Sequence, residues 1–216
     1  MEQFVKFIEQ ISILVGIWAA IYGINSWRRE HRGKRQIELA EDALALFYEA
    51  RDAIAGMRHP VSFSGELDAI ERGEGEPENV FTARRNASLI FVRYERNSEL
   101  FNKIHAMRYR FMALIGKEQA KPFEDLRNIE NDLFQAARML ARLWPRDHFR
   151  TKADRDKHFN QIVEFEEIFW GVGGEEDPIE PRIQSVIDEI EAVCSKVIVG
   201  KKSWSGRLRF SSADKG

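Results

Sequence analysis

The chain has 216 residues, 44% of them hydrophobic and 31% charged, with a formal net charge of −2 at pH 7. That length supports one domain with a real core, and a balance this close to neutral excludes nucleic-acid binding through a net basic field. The lone cysteine, Cys194, excludes an internal disulfide, which suits a reducing compartment.

The first element is an uncharged run over residues 11–27, ISILVGIWAAIYGINSW, followed at once by RREHRGKR over 28–35. Such a run predicts a membrane-spanning helix, since about 20 residues at ~1.5 Å each cross a ~30 Å hydrocarbon core. Phe4, Val5, Phe7 and Ile8 extend the apolar character toward the N-terminus. Lys6 and Glu9 interrupt it and are placed to reach the headgroups, the lysine by snorkelling. Trp27 and Tyr22 stand toward the basic end, where amphipathic rings favour the interface.

Arg28, Arg29, Arg32, Lys34 and Arg35 against Glu30 leave +4 on the flank, whereas Glu2, Lys6 and Glu9 leave −1 before the run. The positive-inside rule then puts the N-terminus outside and residues 28–216 in the cytoplasm, a single-pass arrangement in a plasma (inner) membrane of bacterial type. A cleaved signal peptide needs a positive n-region and a small-residue cleavage site, and this run has neither. A buried soluble helix is usually amphipathic, whereas this one is apolar on all faces. Gly16 with Ala20, and Ala19 with Gly23, form overlapping small-xxx-small pairs that let a second helix approach, a route to a homo-oligomer.

Ile37, Ala40, Leu44, Phe47, Ala50 and Ile54 recur at three and four residues and predict a helix to about Met57, able to continue the membrane run. Pro60, Gly65, Gly73, Gly75 and Pro77 mark a polar loop over 59–77, with residues 66–72 as one helical turn. A loop this long is often functional. Val80, Ala83, Ala87, Ile90, Tyr94, Phe101, Ile104, Arg108, Phe111 and Leu114 predict one long helix over most of 80–114, stopped by Gly116.

Pro122 opens the next helix, with Phe123, Leu126, Ile129, Leu133, Ala136, Leu140 and Trp144 on one face and Pro145 at its end. A shorter helix over 152–170 carries Phe159, Ile162, Val163, Glu166 and Phe169. In GVGGEEDPIEP, Asp177 and Glu180 have capping-box spacing with Pro178 at the first helical position, and Pro181 pushes the regular helix later. The last helix carries Ile183, Val186, Ile187, Ile190, Val193, Cys194 and Val197 and is expected to stop by Gly200.

The architecture predicted is all-α. Residues 1–35 form a single N-terminal transmembrane helix with its basic flank. Residues 36–200 form an acidic cytoplasmic antiparallel helical bundle of about five helices. Residues 201–216 form a basic tail, aperiodic and expected to be disordered. Phe101, Ile104, Phe111, Leu133, Leu140, Ile187 and Ile190 should share one core.

No constellation predicts chemistry, so no catalytic, cofactor-binding or metal-ligating residue is assigned. None of His31, His59, His105, His148 and His158 follows a glutamate at three residues, and there is no His-Glu-x-x-His. Gly171, Gly173 and Gly174 lack the strand and lysine of a phosphate loop and run into Glu175, Glu176 and Asp177. Arg84, Arg85, Arg93, Arg96, Arg108 and Arg110 read as a solvated face paired with Glu95, Glu99 and acids of neighbouring helices. Phe91, Tyr94, Phe101, Tyr109 and Phe111 read as core aromatics, and Cys194 as a buried, inert thiol.

Arg142 and His148, with five residues between them, resemble the Arg-x(4–6)-His spacing of helical HEPN-type ribonucleases. Those enzymes pair the motif across a dimer so that the two side chains converge on a scissile phosphate. With 22 Arg and five His among 216 residues, such a spacing arises by chance, and Pro145 interrupts it. We read it as a helix C-terminus with basic residues facing its carbonyls. The function expected is a membrane-anchored interaction, scaffold or sensor module without catalytic activity. Its partners would be the lipid bilayer and an unidentified protein, with no cofactor and no nucleic acid. The alternatives are a HEPN-like nuclease effector of a defence or toxin system and an oligomeric membrane effector.

Overall fold

The computed structural model describes residues 2–63, 65–171 and 177–210, with side chains described at 15, 16, 18–63, 65–171 and 177–200. The described residues form α-helices and no strand: α1 (Glu2–Met57), α2 (Glu78–Ala87), α3 (Leu89–Arg96), α4 (Ser98–Leu114), α5 (Lys121–Leu143), α6 (Lys152–Phe169) and α7 (Glu180–Phe210). A 3-10 turn (Glu118–Ala120) precedes α5. The all-α expectation holds. Two compact units are distinguished, Met1–Glu41 with Ser195–Gly216, and Asp42–Cys194.

In the first unit the helix runs unbroken through the apolar stretch and its basic flank. Among the described residues, no helix is long and apolar enough to cross a membrane. The side chains of residues 11–14 and 17, which belong to the expected span, lie outside the described ones. The stretch over 15–27 that remains is too short by itself, because crossing takes about 20 residues.

The second unit is organised on α5, which packs against α2, α3, α4 and α6. Its apolar stripe is the most regular in the chain: Phe123, Leu126, Ile129, Leu133, Ala136, Ala137 and Leu140 are all buried. Pro122 suits the first turn, where its missing N–H has no intrahelical partner to lose. In α1, Ala43, Phe47, Ala50, Ile54 and Met57 recur at three and four and are buried in the same way. Phe47 meets Phe123 edge-on at 4.8 Å, and Phe123 meets Phe111 at 5.0 Å, so aromatic rings join α1, α4 and α5. All the expected core positions from Phe101 to Ile190 are buried. Cys194 is fully buried, and burial pushes its thiol up to about 12.

The long helix expected over 80–114 is instead three consecutive helices. The breaks fall at Ser88 and Asn97, whose side chains donate to the carbonyls of Arg84 and Arg93, each at 2.8 Å. Back-bonding of this kind competes with the helical ladder and bends it, and Asn97 leaves helical geometry with φ −107° and ψ 9°. The backbone of α7 passes Gly200 and continues to Phe210. A single glycine costs only about 1 kcal/mol in a helix interior, too little to impose a stop. Residues 66–69 form turns and 70–72 irregular backbone, rather than one helical turn. Tyr109, expected in the core, is exposed. The expected glycine loop lies outside the described residues except for Gly171.

Two buried arginines hold the end of α1 in place. Arg58 is 2% exposed and grips Asp177 with both ends of its fork, Nη2 to Oδ1 at 2.8 Å and Nη1 to Oδ2 at 3.0 Å. It also donates to the carbonyls of Glu167, Ile168 and Trp170, which α6 leaves unsatisfied at its C-terminus. The Arg58 carbonyl in turn accepts from Gly171 N at 2.8 Å. Asp177 Oδ1 accepts from the backbone of Ile179 and Glu180 and so caps the start of α7. Burial alone would raise the Asp177 pKa, but these hydrogen bonds from Arg58 and the backbone hold it below the usual carboxylate range.

Arg93 does the same for the loop over 59–77. It grips Glu66 through Nε and Nη2, each at 3.0 Å, and donates to the carbonyls of Gly56, Met57, His59 and Val61. Glu66 also accepts from Arg96 and from Phe63 N. The arginine fork, with the other donors, lowers its pKa. The reading of these arginines as a solvated face therefore fails for Arg93; Arg84 and Arg85 pair instead with the loop acids Glu76 and Asp68, whereas Arg108 pairs as expected with an acid of a neighbouring helix, Glu124.

Removing one member of a buried ion pair strands the other, at about 3–5 kcal/mol. Chemical denaturation of Arg58→Ala and Arg93→Ala should show losses of that order. Arg72→Ala, which breaks the exposed pair with Glu78, should lose less than about 1 kcal/mol. Because the Glu66 and Asp177 pKa values are depressed, the stability they contribute is present at neutral pH and is lost as pH falls through their folded values. Leu133→Ala and Ile104→Ala should each cost about 2–5 kcal/mol; an unchanged melting temperature would contradict the core assignment.

Candidate functional site

The most distinctive surface lies on α1. Residues 15, 16 and 18–25 are exposed without interruption, so the helix is uncovered on every side. Its large apolar side chains are open, with Trp18 68% exposed, Tyr22 59% and Trp27 65%. Trp18 and Tyr22, four residues apart, stack at 5.6 Å, and Trp27 stacks on His31 at 5.5 Å. The small residues Gly16, Ala19, Ala20 and Gly23 are all exposed. A Cβ added at Gly16 or Gly23 would meet nothing within 4 Å. Arg28, Arg29, Arg32, Lys34 and Arg35 follow, all exposed, with Lys34 reaching Glu38 at 3.9 Å one turn on. This helix therefore carries an apolar sleeve and a basic collar in sequence.

A second set of groups was missed by sequence reasoning. In α4 and α5 the three-residue spacing puts His105 with Arg108 on one face and Arg127 with Glu130 on another. His105 Nε2 lies 3.3 Å from Glu130 Oε2. Glu130 is 2% exposed, and its Oε1 has no hydrogen-bond partner. Burial pushes the Glu130 carboxyl up to about 7, with Arg127 opposing. Burial also lowers His105, and Arg127 and Arg108 add to that effect. Each group is thus driven toward its uncharged form. A signal existed in the sequence: Glu130 stands four residues after Leu126 and three before Leu133, on the apolar stripe. His158 is a second buried polar group, with both ring nitrogens unpaired and its ring 4.9 Å from that of Phe149.

Arg142 and His148 are not brought together. Arg142 is exposed near the end of α5 and faces a groove shared with Arg84 and Arg138. His148 is 95% exposed and approaches only its neighbour Asp147, at 3.1 Å. Among the described residues, no group of three or more His, Cys, Asp or Glu is placed to hold a metal ion. Comparison of the chain with known protein families, with curated proteins and with solved structures finds no match.

The raised Glu130 pKa makes a signed prediction. A carboxyl whose folded pKa exceeds its unfolded value stabilises the fold at low pH and loses that contribution as pH rises through the folded value. Between pH 5 and pH 8 the loss amounts to at most about 3 kcal/mol. Glu130→Gln should remove it, so thermal melts across this range should fall less steeply for the variant than for the wild type. His105 lies 3.3 Å from the Glu130 carboxyl, so the comparison reads the pair as one coupled unit.

Proposed function

We propose that this protein is a single-pass, membrane-anchored interaction module. The N-terminal part of α1 lies in a plasma (inner) membrane with its N-terminus outside, and the helical bundle works in the cytoplasm as a scaffold or sensor for a protein partner. The observation that carries the reading is the apolar sleeve of α1, uncovered on every side. Large contiguous apolar surface is rarely left to water. A helix that is apolar all round is buried, either in protein or in lipid, and among the described side chains of its own unit none covers it. The basic collar next to the sleeve supports the orientation. The open small-residue positions at Gly16, Ala19, Ala20 and Gly23 support close approach of a second copy.

The test uses the full chain expressed in bacteria. The wild type should remain in the membrane pellet after an alkaline carbonate wash, whereas Ile21→Lys combined with Ile24→Lys should move to the supernatant. A fluorescent protein fused at the C-terminus should be active and a periplasm-dependent phosphatase at the same place inactive. Wild-type protein in the soluble fraction would overturn the anchor, and phosphatase activity would overturn the orientation. The competing nuclease reading requires that wild type cleave RNA or arrest growth and that His148→Ala do neither while folded.

A further inference from the structure

A pocket of about 160 Å³ opens between α4 and α5, lined by His105, Ala106, Arg108, Tyr109, Phe123 and Arg127. Its polar groups are incompletely satisfied. The Nε–H of Arg108 is shut off from water and has no acceptor. The other end of that guanidinium reaches the exposed Glu124 carboxylate at 3.4 Å, a long contact for a charged pair. That Nε–H lies out of a ligand's reach, so the pocket is met by the terminal Nη groups of Arg108, which can donate two parallel hydrogen bonds to an oxyanion. Arg127 brings a second guanidinium from the facing helix. His105 brings an imidazole backed by the buried Glu130 carboxyl at 3.3 Å.

We propose that this pocket is a binding site for a tetrahedral oxyanion, phosphate or a phosphate monoester, held by Arg108, Arg127 and His105. Phe123 and Tyr109 form its apolar wall, which lowers the local dielectric and strengthens the contacts. The buried pair behind the site makes binding proton-linked. An anion beside His105 favours the imidazolium, and a neutral Glu130 repels the anion less than a carboxylate does. The charged and titratable groups facing the pair are His105 and Arg108 on α4, Glu124, Arg127 and Glu130 on α5, and Tyr94 on α3, whose hydroxyl feels the Glu130 charge. Anion affinity should therefore rise as pH falls across neutrality.

Isothermal titration of the full chain in detergent tests this. Inorganic phosphate and phenyl phosphate distinguish a free ion from an ester: equal affinities assign the free ion, and tighter phenyl phosphate assigns a monoester. Sulfate, whose charge is constant between pH 6 and pH 8, reads the proton linkage and should bind several-fold more tightly at pH 6. Arg127→Gln alters an exposed side chain and should keep the helical melt of the wild type while weakening each anion about tenfold, the loss expected for one charge-assisted hydrogen bond. Arg108→Gln should do the same. Glu130→Gln should bind sulfate more tightly than wild type at pH 8. Absence of binding by all three anions, or affinities unchanged in a folded Arg127→Gln, would overturn the proposal.

Discussion

A guanidinium keeps its proton in any protein environment, so burying Arg58 obliges the chain to bring acceptors to it. The acceptors come from two places more than 100 residues away: the carbonyls at the end of α6 and the Asp177 carboxylate. One side chain thereby sets where α1 ends, where α6 ends and where α7 starts. Arg93 repeats the device with the opposite polarity of address, reading the carbonyls at the end of α1 from α3 and fixing the loop through Glu66. Buried ion pairs are poor sources of net stability, because desolvation offsets much of the attraction. Their contribution here is geometric, since helix ends meet only where the fork can reach every acceptor.

This explains what could be read from the sequence and what could not. Helix existence and the buried stripes of α1 and α5 follow from spacing alone, because apolar residues at three and four leave a helix one way to face its neighbours. The core positions Phe101, Ile104, Leu133 and Ile187 were legible for that reason. Arg58, Arg93 and Glu130 were not, although each stands on such a stripe. Arg58 follows Ile54 by four, and Arg93 follows Leu89 by four. A charged residue in an apolar register has two outcomes, snorkelling to water or burial against a partner, and the partner lies as far off as residue 177. Ser88 and Asn97 were hidden differently: nothing in local propensity separates a side chain facing solvent from one that bonds the carbonyl four residues back.

The first unit raises the opposite problem. There the spacing carries little information, because the apolar residues surround the helix rather than forming a stripe. The segment is legible only as a whole, through the absence of charge over residues 11–27 and its sudden return at Arg28. Under the proposed anchoring, the exposure of Tyr22 and Trp27 toward the basic end reflects the medium around them. Aromatic residues that bury a polar edge and an apolar face at once are suited to a boundary between headgroup and hydrocarbon.

The contrast between the arginine clamps and the α4–α5 pocket is the strongest guide to where function resides in the bundle. Buried polar groups in native proteins are almost always paired, and the exceptions call for a reason. Arg58 and Arg93 each donate to a carboxylate and to several carbonyls, and Glu66 and Asp177 each receive from side chain and backbone. Against that standard the Arg108 Nε and the Glu130 Oε1 are conspicuous: Arg108 lines the α4–α5 pocket, and Glu130 lies behind it, 3.3 Å from the pocket residue His105. Two guanidiniums beside a partly buried histidine, with a buried carboxyl of raised pKa behind it, are the groups that would couple the binding of an anion to the uptake of a proton.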